Sequence, residues 1–231
     1  MKIKDSTKTN VSAARGTLSA PKRPKQERGI ARFNKLLDAA DTLLATHELD
    51  EVGLYQIAQE AGAPPASVYH FFPSPQAVLI ALAERYHQKV ADVSLYVEPG
   101  SSPTWQELLR QRLSSTVKIF NHHPTMQKLF LGSHANHEMA SSEVGFNEML
   151  AQRFVSFYDQ FFHMPVITGI EQKFLVMLTL LDAVMRLSYA KHRTITAEFE
   201  AEAALAAIAY CRTFLPEVIE LRAAKRAVDP R

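Results

Sequence analysis

The sequence predicts an all-α fold. Apolar residues recur at three- and four-residue spacing through most of the chain, no stretch alternates apolar and polar as a strand does, and proline or polar breaks separate the segments. At 231 residues, 47% of them hydrophobic, the chain is long enough to bury one large core or two smaller ones. No run approaches the roughly 18 apolar residues of a membrane span. The N-terminal lysines have no apolar stretch behind them, so no secretory signal is expected. Cys211 is the single cysteine, which excludes an intrachain disulfide and favours a cytoplasmic setting.

Residues 1–25 are polar and are expected to be a disordered arm. From Gln26, the spacing of Ile30, Phe33, Leu37, Ala40 and Leu44 predicts an amphipathic helix to about Thr46. The polar connection HELDEVG leads to a short second helix with Leu54, Ile57, Ala58 and Ala61 on one face. Gly62 follows where a helix closes in the left-handed region, which glycine enters without penalty. Pro64 and Pro65 open a third helix: a residue before proline avoids the helical region, and proline at the first helical position loses nothing. No side chain caps it, a deficit of about 1 kcal/mol relative to Ser or Asp. Val68, Phe71 and Phe72 face inward, leaving Ala66, Ser67, Tyr69 and His70 outside. A long fourth helix is expected from Pro75 to Val97, then others near 104–121, 125–133, 140–163, 168–192 and 197–214, with Pro216 bending the last segment.

Charge is unevenly distributed. Net charge is only +2, yet residues 1–35 hold ten Lys or Arg against Asp5 and Glu27. A basic segment ahead of a near-neutral body suits an acidic partner such as nucleic acid. A solubilising tail is the other reading of the same charges. From Leu36 to Glu84 there is no lysine or arginine at all. Any affinity for a polyanion must therefore draw on Arg23, Lys25, Arg28 and Arg32, which stand at the start of the first helix.

The order and spacing of the first helix, the IAQEAG segment, and SVYHFF running into PSPQAVL carry a resemblance. Roughly Gln26 to Tyr86 resembles the N-terminal domain of the tetracycline-repressor (TetR) family of bacterial transcription regulators. The resemblance implies three segments: the arm 1–25, a three-helix helix-turn-helix DNA-binding domain 26–74, and a helical ligand-binding and dimerisation domain 75–231. It also implies that the third helix enters the major groove. Pro65 and Ala66 open that helix, and Ala66 suits a thymine methyl. Ser67, Tyr69 and His70 suit base edges or backbone oxygens. The amide groups at the start of the third helix add an anion site, and the family uses the region of Arg23, Lys25 and Arg28 on phosphates and the minor groove. The chain departs from the family at Phe71, where His or Tyr is common, at Pro75, where Lys is common, and at Gly53, where Thr or Ser is frequent.

The C-terminal part matches the family in length and helix count only. Its last two helices suit a homodimer: FLVMLTLLDAVMRLSYA is apolar nearly all round, and EFEAEAALAAIAYCRTFL is rich in alanine, which permits close helix approach. Burial of these helices within one chain is the alternative. The middle helices hold many large flexible apolar groups. Such a stripe is ordinarily plain core; the family resemblance implies instead that Phe120, Met126, Phe130, Phe154, Phe157, Tyr158 and Met177 line a mostly apolar cavity for a small-molecule effector, an occupancy that adaptable methionines suit. Arg186 is either the ion-pair partner of Asp182, four residues away, or a contact to an acidic ligand.

His122, His123, His134 and His137 have no cysteine or carboxylate to complete a metal site, so no metal or other cofactor is expected. No nucleophile elbow, phosphate loop or acid/base set points to an enzyme. The expected function is a DNA-binding transcription regulator, a repressor released from a palindromic operator by a largely apolar ligand. A helical binding module that has lost operator reading is the alternative from another class.

Overall fold

The computed structural model describes residues 20–94, 104–132 and 137–222, with the side chains of 93–94 and 137–143 left aside. Among the described residues there are nine helices and no strand beyond an isolated bridge between Phe162 and Leu221. They are α1 (Glu27–Thr46), α2 (Leu54–Glu60), α3 (Pro65–Phe71), α4 (Pro75–Ser94), α5 (Trp105–His122), α6 (Pro124–Leu131), α7 (His137–Phe161), α8 (Ile170–His192) and α9 (Ala197–Cys211). Contacts divide the chain into two compact units, residues 1–82 and 83–231. The division falls inside α4, between Leu82 and Ala83, and Ala77, Val78, Ala81 and Leu82 before it are all buried.

In the first unit α1 packs on α2, and α2 on α3. Phe33 is the hub of this small core. Its ring centroid is 4.8 Å from that of Phe72 and 5.7 Å from that of Phe71, the latter edge-on at 89°. Such edge-to-face pairs add to plain area burial. Gly62 takes φ 57°, and the turn closes through Gly62 N–H to Gln59 O (3.0 Å) and Ala63 N–H to Ala58 O (2.9 Å). A side chain there would meet no clash, but the left-handed backbone itself disfavours one. Gln56 closes the start of α2 by accepting the Gly53 N–H (2.6 Å), and Ser74 Oγ accepts the Ala77 N–H (3.3 Å) at the start of α4.

Residues 20–25, expected from composition to belong to a disordered arm, are tied to this unit; residues 1–19 lie outside the described ones. Lys22 donates its backbone N–H to Phe71 O (2.7 Å). That carbonyl closes α3 and has no partner within its own helix, so the bond answers a need of the helix end. The Arg23 guanidinium lies 5.4 Å from the Phe33 ring centroid. A Cβ on Gly29 would approach Pro24 Cβ to 2.8 Å, so the segment sits against α1 where glycine leaves room. Composition misses this because the tether is made by backbone atoms and one arginine, not by apolar bulk.

In the second unit α8 packs against α7, α9 and α6, while α5 packs against α9 and α6. Thr104 and Glu107 form a reciprocal cap on α5: Glu107 N–H donates to Thr104 Oγ1 (3.2 Å) and Thr104 N–H to Glu107 Oε2 (2.9 Å). The turn between α8 and α9 is stapled to the α5–α6 corner by one amide. Asn121 Oδ1 accepts from Ile195 N–H (3.0 Å), Thr194 Oγ1 (3.0 Å) and Gln127 Nε2 (2.9 Å), and Asn121 Nδ2 donates to Ile195 O (2.8 Å). Beyond α9 the chain straps back over the unit, where Trp105 Nε1 donates to Pro216 O (3.0 Å) and Arg222 N–H to Phe161 O (2.7 Å).

Candidate nucleic-acid interface and ligand cavity

The outward face of α3 is as the spacing required. Val68 and Phe71 are buried, whereas Pro65, Ala66, Tyr69 and His70 are exposed and Ser67 is half-buried. Tyr69 shows 55% of its surface, so its ring is available to a groove. Pro65 has no N–H, and Ser67 donates its own to Pro64 O (2.9 Å), which thins the anion site expected at the start of α3.

The missing positive charge is supplied from the neighbouring helix. Arg28 and Arg32 on α1 line one open groove of about 570 Å³ together with Ala66, Ser67 and His70 on α3. The two arginines are exposed and stand one turn apart on one face. That placement opposes the helix: like charges at this spacing repel by about 0.2–0.5 kcal/mol, and cations are disfavoured near a helix start. A phosphate between them reverses both signs. Arg23 and Lys25 are exposed as well, on the segment tethered by Lys22.

Arg32 is the arginine that joins the groove besides Arg28. Its i, i+4 relation to Arg28 is the signal in the sequence that pairs them.

Two departures from the family pattern acquire a physical role. Phe71, with 6% of its surface exposed, packs edge-on to Phe33, and Gly53 holds the start of α2 through Gln56.

The second unit contains a cavity of about 80 Å³, bordered by α4, α5, α6, α7 and α8. Of the candidate ligand contacts, Phe120, Met126, Phe130, Phe154 and Met177 line it; Phe157, Tyr158 and Arg186 are not in its wall. Phe157 stands behind the wall, its ring centroid 3.5 Å from the guanidinium carbon of Arg112, which does line the cavity. Tyr158 is fully buried among Phe154 (5.9 Å) and Phe174 (5.8 Å), and burial pushes its phenol above the ordinary range.

The polar wall residues are Arg112, His87, Thr116, Asn147 and Asp182, of which only Asp182 was considered from sequence. Asn147 Nδ2 donates to Asp182 Oδ2 (2.7 Å). The His87 ring stacks on Phe146 (4.0 Å, 7°) and leans on Phe130 (4.8 Å), and burial lowers its pKa to about 4, so it is neutral at pH 7. Arg112 is only 4% exposed; burial lowers its pKa to about 10, which leaves it charged at pH 7. The signal for these residues lay in the helical stripe. Arg112 and Thr116 fall at three- and four-residue steps between Leu109 and Phe120, on a face that is otherwise apolar.

Among the described residues no helix is long and apolar enough to cross a membrane, and no three His, Cys, Asp or Glu side chains are grouped to hold a metal. His134 lies outside the described residues, as does the side chain of His137.

A three-helix unit with an exposed α3 and a second helical unit with its own cavity are the parts of a helix-turn-helix regulator fold. Residues 36–82 match the profile of the bacterial regulatory proteins of the tetR family, and residues 103–210 match the tetracyclin repressor-like C-terminal domain. The chain belongs to the TetR family of transcription regulators, whose members carry a helix-turn-helix DNA-binding domain.

YxaF, an uncharacterized HTH-type transcriptional regulator of Bacillus subtilis, is 28% identical over 116 residues, 50% of this chain and 60% of its own length. The aligned segment spans between 41% and 60% of the curated relatives it matches. A TetR-family regulator from Streptomyces coelicolor superposes with a TM-score of 0.67 at 20% identity, covering 82% of this chain and all of its own. A SmeT–triclosan complex does so with a TM-score of 0.55 at 16% identity, over 80% of this chain and 92% of its own. At these identities the two structures show the fold alone.

Proposed function

We propose that this protein is a homodimeric repressor that reads a palindromic operator with α3 and leaves it when a small molecule fills the cavity of the second unit. The observation that carries the reading is the shared groove, in which Arg28 and Arg32 flank Ala66, Ser67 and His70. Sequence is read by the uncharged side chains, while arginines of α1 and the basic arm neutralise phosphate. One short helix reads too few bases, so two heads on a two-fold site are needed.

The dimer surface we assign is the outer face of α8 and α9. Ala183, Leu187 and Ala190 are exposed on α8, and Ala201, Leu205 and Ala209 on α9. Leu187 is 50% and Leu205 58% exposed, and small residues between them permit close packing of a second copy. SmeT, a structure of this fold, is in complex with triclosan, which supports a small-molecule effector here. His87 and Val90 place the later part of α4 on the cavity wall, and the same helix begins in the reading unit. A ligand that favours one position of α4 thereby biases operator affinity, and the operator biases ligand affinity by the same factor.

Selection of bound duplexes from a random pool by the full chain tests the reading. A palindromic consensus is the expected result, and deletion of residues 1–27 is expected to weaken binding and flatten its salt dependence. Absence of any consensus supports instead a binding module that has kept the fold and lost the operator.

A further inference from the structure

The cavity has two chemically distinct ends. Arg112 lies 3.5 Å from the centroid of Phe157 and 6.0 Å from that of Phe154, which places it toward the C-terminal half of α7. Asp182 is bonded to Asn147, two to three turns earlier on α7. Seven to ten residues of helix rise separate these levels, roughly 10–15 Å. Aromatic side chains also line the cavity: Phe120, Phe130 and Phe146, with the neutral His87 stacked on the last. The volume, about 80 Å³, compares with the roughly 10–15 Å³ that one water requires, so it takes a single ring with one or two substituents rather than a drug-sized molecule. Hydrogen bonds of about 2.8 Å at either end leave roughly 5–9 Å between the ligand's own polar atoms, the reach of one para-substituted benzene ring.

We infer that the effector is a small aromatic monocarboxylate bearing a hydrogen-bond donor at the opposite end of its ring, with its carboxylate on Arg112 and its donor on Asp182. This rests on the ligand-responsive reading above and gives it a chemical class. A buried guanidinium stacked on a phenyl ring is prepared for a planar anion, because its forked donors match two carboxylate oxygens. The carboxylate of Asp182, already oriented by Asn147, accepts from a hydroxyl or amine and disfavours a second anion. The same pair therefore favours the hydroxy acid over a dicarboxylate.

The test is calorimetric titration of the full wild-type chain with 4-hydroxybenzoate, benzoate, 4-hydroxybenzamide and terephthalate. Expected is binding of 4-hydroxybenzoate at least tenfold tighter than benzoate or the uncharged amide, with terephthalate weakest. Arg112→Gln is expected to abolish the preference for the acid over the amide, and Asp182→Asn to remove the penalty on terephthalate. The wild-type ligand series decides even where a variant fails to fold. Equal affinity for the acid and its amide, or no binding of any of the four, overturns the inference. Operator binding measured in parallel separates the two levels. Ligand binding without effect on the operator complex retains the ligand class and removes the regulatory reading, whereas an intact operator complex with no ring acid bound removes the ligand class alone.

Discussion

Phe33 and Phe71 show how one side chain can be diverted from a surface role to a core role. Phe71 closes α3 at a position where the resemblance leads one to expect His or Tyr; here its ring stands perpendicular to that of Phe33 with the centroids 5.7 Å apart. Loss of that hub leaves a cavity that three helices cannot easily fill. Phe33→Ala is expected to cost about 3–5 kcal/mol, read by chemical denaturation of the reading unit's transition. Gly62→Ala acts through the backbone alone, because φ is 57° and nothing crowds the site; it is expected to cost about 1–2 kcal/mol.

His87 gives a pH signature. Its pKa falls from 6.5 to about 4 on burial, so between those values the folded state holds it neutral while the unfolded state is protonated. The stability that this neutrality represents is intact above about pH 6.5 and is lost progressively as pH falls toward 4. The loss approaches about 3 kcal/mol at the lower end. Thermal melts of the wild type and His87→Phe should converge or cross as pH falls through that window. Parallel curves would exclude a buried neutral imidazole.

At the scale of elements, most of the fold was legible in the sequence. The spacing of Leu37, Ala40 and Leu44 placed α1, and Gly62 and Pro65 placed the break between α2 and α3 within a residue or two, because each rests on local backbone chemistry. The tether of residues 20–25 was not legible, since Lys22 contributes only its N–H and nothing in its side chain announces the bond. The cavity was half legible. Large apolar groups such as Phe120 and Met126 signal a loosely packable interior, but which helix faces enclose it depends on packing between elements distant in sequence. Arg112 shows the limit: as a charge on an apolar stripe it is visible, yet its meaning needs Phe157, which is 45 residues away.

The Asn121 staple belongs to this scale too. One amide oxygen serves three donors from the α8–α9 turn and α6. Asn121→Ala strands these groups, and a loss of about 2–3 kcal/mol is expected. Accelerated hydrogen exchange at Ile195 would locate the damage.

For the whole molecule, the proposed reading divides recognition and response between the two units and between different chemistries. The second unit exposes Leu187 on α8 and Leu205 on α9, the surface proposed for a second copy. Leu187→Glu with Leu205→Glu is expected to convert the protein to monomers in sedimentation while leaving single-chain helicity unchanged. In the first unit α3 carries no lysine or arginine while Arg28 and Arg32 of α1 share its groove, so the proposed reading puts sequence preference and electrostatic grip in different residues.

The salt dependence of operator binding tests that separation most directly. Each phosphate contact contributes about 0.9 to the slope of log affinity against log salt, so Arg28→Ala with Arg32→Ala should reduce the slope by roughly two units. The consensus selected by α3 should not change. A slope equal to that of the wild type, or a consensus rewritten by the arginine changes, would contradict the account.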